Sequence, residues 1–114
     1  MADCLFCKIM RREIPAKIAY DDEKAFAFVD INPQAPVHML IVPKRHVATL
    51  NDLKIEDREL LGHLFYVAAE LARGAKIDQA GYRTVINTNA EAGQSVFHIH
   101  VHLLGGRAMR WPPG

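Results

Sequence analysis

The run Phe97-His98-Ile99-His100-Val101-His102-Leu103-Leu104 alternates imidazoles with aliphatic side chains. In a β-strand, successive side chains point to opposite faces. The run therefore predicts a strand over 97–104 with His98, His100 and His102 on one face and Ile99, Val101 and Leu103 on the other. Half of the chain's six histidines share that face. A merely solvated face would mix in Lys, Thr and Glu, and none occurs here. Imidazole titrates nearest neutrality and serves as nucleophile, acid, base or metal ligand. A stripe of three flanked by apolar residues reads as a functional site.

The rest of the chain supplies partners for that strand. Cys4 to Arg12 reads as a short helix ending before Pro15. Lys17–Tyr20 and Ala25–Val29 read as strands joined at the acidic turn Asp21-Asp22-Glu23. Asp30–Pro36, with two prolines and an asparagine, reads as a loop. His38–Val42 reads as a strand with His38, Leu40 and Val42 on one face. From about Ile55 to Ala75 the period changes: Leu60, Leu61, Leu64, Phe65, Ala68, Leu71, Ala72 and Ala75 recur at three- and four-residue spacing, the mark of an amphipathic helix. Its acidic start, Glu56-Asp57-x-Glu59, suits the positive end of the helix dipole. Arg83–Asn87 reads as a fourth strand, Ala90–Gln94 as a turn, and the histidine run as the fifth strand. A strand meander, one long helix and a closing hairpin make an α+β fold. The hairpin brings Asn87 toward the histidines.

A chain of 114 residues suits one domain, 1–114, with a modest core. Its net charge of +1 leaves no electrostatic footprint for nucleic acid. The short basic clusters Lys8-Ile9-Met10-Arg11-Arg12 and Lys44-Arg45 read as solvated faces. No apolar run is long enough to span a membrane. Met1-Ala2-Asp3-Cys4 lacks a signal-like pattern, and only two cysteines occur. These features favour a reducing, cytoplasmic location without a structural disulfide.

Several histidines together can divide nucleophilic and proton-transfer work. Gly93-Gln94-Ser95 stands just before them. A glycine turn brings backbone N–H groups close to an anion, and a hydroxyl donates to a phosphoryl oxygen. The run Gly93 to Leu104 resembles the signature of the histidine triad (HIT) superfamily. The ending Gly105 to Gly114, G-G-R-A-M-R-W-P-P-G, resembles its Hint branch. E-I-P-A-K at Glu13–Lys17, the Asp30–Pro36 loop and Leu61-Gly62-His63-Leu64 match as well, so the resemblance runs from about Phe6 to Gly114.

That resemblance implies a HIT-like five-stranded antiparallel sheet with one long and one short helix, continued across a homodimer. It implies hydrolysis of purine nucleoside 5′-phosphoramidates, and of related acyl-nucleotides, to the nucleoside monophosphate. His100 is the implied nucleophile, forming a nucleotidyl-imidazole. His102 and Ser95 match positions that contact phosphate and leaving group, His38 one that relays a proton, and Asn87 one that lines the phosphate site. Val96 and the Gly93-Gln94-Ser95 turn belong to the same nucleotide-binding run. Asp30 matches a carboxylate that grips the ribose hydroxyls. Leu5, Phe6, Phe28 and Ile31 match apolar residues around the purine, although periodicity alone reads them as core. Trp111 matches an aromatic that reaches the partner subunit and influences substrate choice. Arg110 before it bears on which leaving groups are accepted. His63 reads as a half-buried helix histidine with a hydrogen-bond partner.

Cys4-Leu5-Phe6-Cys7 is a C-x-x-C. A thioredoxin-like role lacks its usual βαβ context, which leaves free thiols or a structural zinc site. His46 and His98 match the positions that complete a Cys2His2 site in zinc-containing branches of the superfamily. A closed four-ligand site has no open position for water, so zinc would be structural. No organic cofactor is expected. Three other readings stand beside the phosphoramidase: a dinucleoside polyphosphate hydrolase of the Fhit branch, a nucleotide-binding regulatory protein, and a zinc-binding interaction module.

Overall fold

The computed structural model describes residues 4–114; Met1–Asp3, part of the N-terminal stretch without a signal-like pattern, lie outside the described residues. The fold is α+β. Five antiparallel strands, β1 (Ile18–Asp21), β2 (Ala25–Val29), β3 (Val37–Pro43), β4 (Tyr82–Val85) and β5 (Val101–Gly105), form one sheet in the order β1-β2-β3-β5-β4. Helices α1 (Leu5–Met10), α2 (Arg58–Gly74) and the single turn α3 (Asn89–Ala92) complete it. Among the described residues, no helix is long and apolar enough to cross a membrane.

Strand β2, Ala-Phe-Ala-Phe-Val, shows how the two faces are built. Ala25 and Ala27 lie in a core cluster with Leu64, Val67, Ala68 and Ala72 of α2. Small residues there let the helix approach the sheet. Phe26 and Phe28 fill the opposite face against Phe6 and Ile9 of α1, with Leu40 and Val42 of β3. Ile99, Val101 and Leu103 join the α2 side. The histidines are thus left on the face that α1 covers.

Helix α2 is clamped at one point. His63 donates from Nε2 to Asp22 Oδ2 at 2.7 Å, and Tyr20 donates its hydroxyl to the same oxygen at 2.7 Å. Burial alone would raise the Asp22 pKa. The Tyr20, Lys24, Ala25 and His63 hydrogen bonds outweigh it and hold the carboxyl well below the usual range.

Four features differ from the sequence expectation. The long helix is preceded by a separate 3-10 turn, Ile55–Asp57, and the turn at 90–94 is overlapped by the helical turn α3. Strand β4 ends at Val85, before Asn87. Most significantly, sheet pairing in the histidine run begins only at Val101, opposite Ile41. Upstream, the Ile99 N–H donates to the Val47 carbonyl at 2.7 Å, so residues 97–100 leave the ladder. The alternation of sides nevertheless continues through them.

Candidate functional site

His98, His100 and His102 project to the same side of the chain but make different hydrogen bonds. His100 Nδ1 lies 2.8 Å from the His98 carbonyl oxygen. A carbonyl only accepts, so Nδ1 carries the proton and Nε2 keeps a lone pair. His98 has the opposite arrangement: its Nε2 lies 2.8 Å from the Pro43 carbonyl. His98 Nε2 is therefore protonated and Nδ1 is the free base.

A relay joins His102 to β3. The Gln34 N–H donates to His38 Nδ1 at 3.0 Å, which leaves the proton of a neutral His38 on Nε2. That Nε2 is 2.9 Å from His102 Nδ1. Nδ1 of His102 accepts, and its proton sits on Nε2. Asp30 Oδ2 stands 3.4 Å from His38 Nε2, and Asp30 Oδ1 accepts from the Asn32 N–H at 2.8 Å. The cross-strand pairing Leu40↔His102 sets His102 diagonally beside His38.

Burial keeps these imidazoles neutral. It pushes His102 down to about 4, with the nearby His100 and His38 adding repulsion. Burial also lowers His100 and His38, and Asp30 partly offsets it at both. At neutral pH, His100 Nε2 is thus an unprotonated nitrogen with its partner hydrogen bonds already made.

His100 and His102 line a cleft of about 210 Å³ with Asp30, Ser95 and Val96. Leu5, Phe6, Phe28 and Ile31 form its apolar walls. Phe6 packs edge-on against both Phe28 and His100, at ring-centroid distances of 5.4 and 5.0 Å. Ile31 is 93% exposed, so it stands at the rim rather than in the core. Ile9, Ile14, Pro15, Ala16 and Leu40 line the cleft as well. The sequence reading did not assign these five, although Ile14-Pro15-Ala16 lies within the E-I-P-A-K match.

Asn87 and His38 face a second cleft on the other side of His102. Gly93 and Gln94 line neither cleft. Gly93 caps α3 with φ of 88°, a left-handed conformation that suits glycine. The buried Gln94 amide accepts from the Asn89 N–H and donates to the Ala48 and Val96 carbonyls. Its side chain braces the loop that carries Ser95. A shallow groove of about 310 Å³ lies elsewhere, between Lys24, Lys44, Arg45 and Glu56. Lys44 is paired with Asp21 and Arg45 with Asp57.

The fold brings Cys4, Cys7, His46 and His98 together, with all four donor atoms within 4.8 Å of one another. His98 Nδ1 is 3.3 Å from Cys4 Sγ, 3.7 Å from Cys7 Sγ and 3.1 Å from His46 Nδ1; Cys7 Sγ is 3.7 Å from His46 Nδ1. Neighbouring donors on a tetrahedral zinc stand about 3.3 Å apart for two nitrogens and about 3.6 Å for nitrogen and sulfur, given the usual bond lengths. The Pro43 carbonyl also fixes the His98 tautomer that a metal ligand needs. The donor set and its spacing fit zinc. Cys4 and Cys7 are not joined in a disulfide, and burial raises the Cys7 pKa.

A HIT domain is matched over residues 11–109. The chain is 53% identical, over 112 residues, to a 14 kDa zinc-binding protein of Zea mays, covering 96% of this chain and 87% of that protein. It is equally 53% identical over 112 residues to an uncharacterised HIT-like protein of Synechocystis, covering 98% and 97%. Its structure is similar to that of a HIT family hydrolase from Legionella pneumophila, with a TM-score of 0.96, 53% identity and coverage of 98% of this chain and all of the other.

Proposed function

The chain belongs to the HIT domain family, and from that premise we propose that it hydrolyses purine nucleoside 5′-phosphoramidates, and related acyl-nucleotides, through a nucleotidyl intermediate on His100. The observation that carries this reading is the His98 carbonyl on His100 Nδ1 at 2.8 Å. It leaves Nε2 as the nucleophile, and it stabilises the imidazolium charge once that nitrogen bonds phosphorus.

The apolar cleft suits a purine, and Asp30 at its edge suits a ribose diol. Nε2 of His100 attacks phosphorus, the P–N bond breaks, and the departing amine takes the proton from His102 Nε2. The negative charge left on His102 is stabilised by the His38 Nε2–H on its Nδ1, 2.9 Å away, and is balanced by the imidazolium formed at His100. Ser95 and Asn87 are the donors available to the phosphoryl oxygens. In the second half-reaction the relay runs backward. Water gives a proton to His102 as its oxygen attacks phosphorus, the bond from phosphorus to His100 Nε2 breaks, and the monophosphate leaves.

Cys4, Cys7, His46 and His98 are the proposed zinc ligands. When bound, zinc would act structurally, tying α1 to the segment that carries His100. The homodimer is also proposed. It is supported by aromatic side chains left exposed on α2 and β4, Phe65, Tyr66 and Tyr82, and by the open edge of β4. Two cysteines that form no disulfide favour a reducing, cytoplasmic setting.

The test is AMP release from adenosine 5′-phosphoramidate by the wild type and by His100→Ala. Release by the wild type with a loss of about 10⁴-fold or more in the variant is expected for a nucleophile. Equal release by both would remove His100 from the role. Binding of AMP without hydrolysis by the wild type would leave a nucleotide-binding protein in its place.

A further inference from the structure

His102 stands between two clefts, and His38 lines only the second. The apolar nucleoside cleft lies on one side. On the other, a cleft of about 270 Å³ is lined by Gln34, His38, Arg83, Asn87, His102 and Arg107, among others. His102 borders both clefts, whereas His100 borders only the first. No carboxylate lines the second cleft.

Its two cations are held in place without being neutralised. Arg83 donates from Nη2 to the Arg110 carbonyl at 2.9 Å. Arg107 donates from Nε to the Gln34 carbonyl at 3.1 Å and from Nη1 to the Ala108 carbonyl at 3.0 Å. Arg11, Arg12, Arg45 and Arg73 each pair with a carboxylate. Arg83 and Arg107 pair with none among the described residues. Backbone carbonyls leave the full positive charge of each guanidinium available, with N–H donors to spare.

Displacement at phosphorus runs in line, so the leaving group departs on the side away from the nucleophile. With His100 in the first cleft and the proton donor His102 on the boundary, the departing amine is directed toward the second. Resting on the phosphoramidate reading above, we infer that the second cleft is the leaving-group subsite, and that Arg83 and Arg107 select amines bearing an anionic group, a carboxylate or a phosphate-like oxyanion. The bond changes are those already described: phosphorus exchanges its bond to the amine nitrogen for one to His100 Nε2, and the amine takes the His102 proton. The arginines touch the far end of the leaving group and determine specificity only.

The experiment compares kcat/KM for adenosine 5′-phosphoramidates whose leaving amines are glycine, aminomethylphosphonate and glycinamide. The wild type is expected to favour at least one of the two anionic amines over the uncharged glycinamide by roughly tenfold or more, the worth of a charge-assisted hydrogen bond. Which anion is favoured separates carboxylate from phosphate-like recognition. The Arg83→Gln/Arg107→Gln double variant is expected to bring the ratio near one. Because the readout is a ratio within one protein, general losses of activity cancel. Should the double variant fail to fold, Arg107→Gln alone, a change at an exposed side chain, is expected to lower the ratio. Equal rates on all three substrates in the wild type would overturn the inference, as would a preference that survives both substitutions. Failure to hydrolyse unsubstituted adenosine 5′-phosphoramidate would instead remove the underlying reaction, and the inference with it.

Discussion

His98 and His100 are two residues apart, lie on the same side of one segment and are both buried, yet their chemistry is opposite. His98 spends Nε2 on the Pro43 carbonyl and turns Nδ1 toward two sulfurs and another imidazole. His100 spends Nδ1 on the His98 carbonyl and leaves Nε2 to the cleft. Neither the residue type nor its burial separates them; which ring nitrogen meets a backbone carbonyl does. A carbonyl is a tautomer selector, and here two of them divide a histidine stripe into an anchor and a reagent. The halves are mechanically joined, since the carbonyl that sets the His100 tautomer belongs to the anchoring residue.

The largest effect should come from removing the anchor. Replacing Cys4 and Cys7 with Ser is expected to abolish stoichiometric zinc, read by elemental analysis, and to lower Tm by more than about 10 °C, because metal affinity at such a site is folding free energy. His100→Ala should retain the metal in full. Equal metal loss in both proteins would merge the two halves into one site.

A smaller, purely kinetic effect is expected on the reagent side. His102→Gln keeps a hydrogen-bonding side chain but cannot pass a proton. It should lower kcat by about a hundredfold, with Tm little changed. A loss confined to KM would make His102 a phosphate contact and not the proton donor.

The smallest effect is a displacement in pH. Burial lowers the pKa of His100, His38 and His102, the last to about 4. Their neutral forms should therefore persist below the ordinary imidazole value of about 6.5, and the acid limb of kcat/KM should lie below it. The unfolded chain takes up protons first as pH falls. Stability contributed by the neutral His102 is thus full above about 6.5 and is lost progressively toward about 4. An acid limb at or above 6.5 would contradict the buried, neutral arrangement.

Much of this was legible in the residues. Strict alternation fixed which side each of residues 98–103 faces, even though only Val101 onward joins the sheet. The 3- and 4-residue spacing over Leu60–Ala75 located α2. The departure at 97–100 was not legible, because it depends on the bond from Ile99 N–H to the Val47 carbonyl, a partner remote in sequence and itself outside the sheet. Gln94 illustrates another limit. Its place in the Gly93-Gln94-Ser95 turn resembled an anion cradle, but whether its amide turns outward or into the fold depends on Ala48 and Asn89. The arginines of the second cleft were silent for the same reason, since an unpaired guanidinium is recognised only once its neighbours are known.

The central claim is that two backbone carbonyls assign opposite tautomers to adjacent members of the stripe. Long-range ¹H–¹⁵N correlation spectra of the histidine rings of the wild-type protein at neutral pH test it directly. The account predicts protonated Nδ1 and free Nε2 in His100, with protonated Nε2 and an unprotonated Nδ1 in His98. The Nε2–H tautomer at His100 would contradict it, because the nitrogen proposed to attack phosphorus would carry the proton.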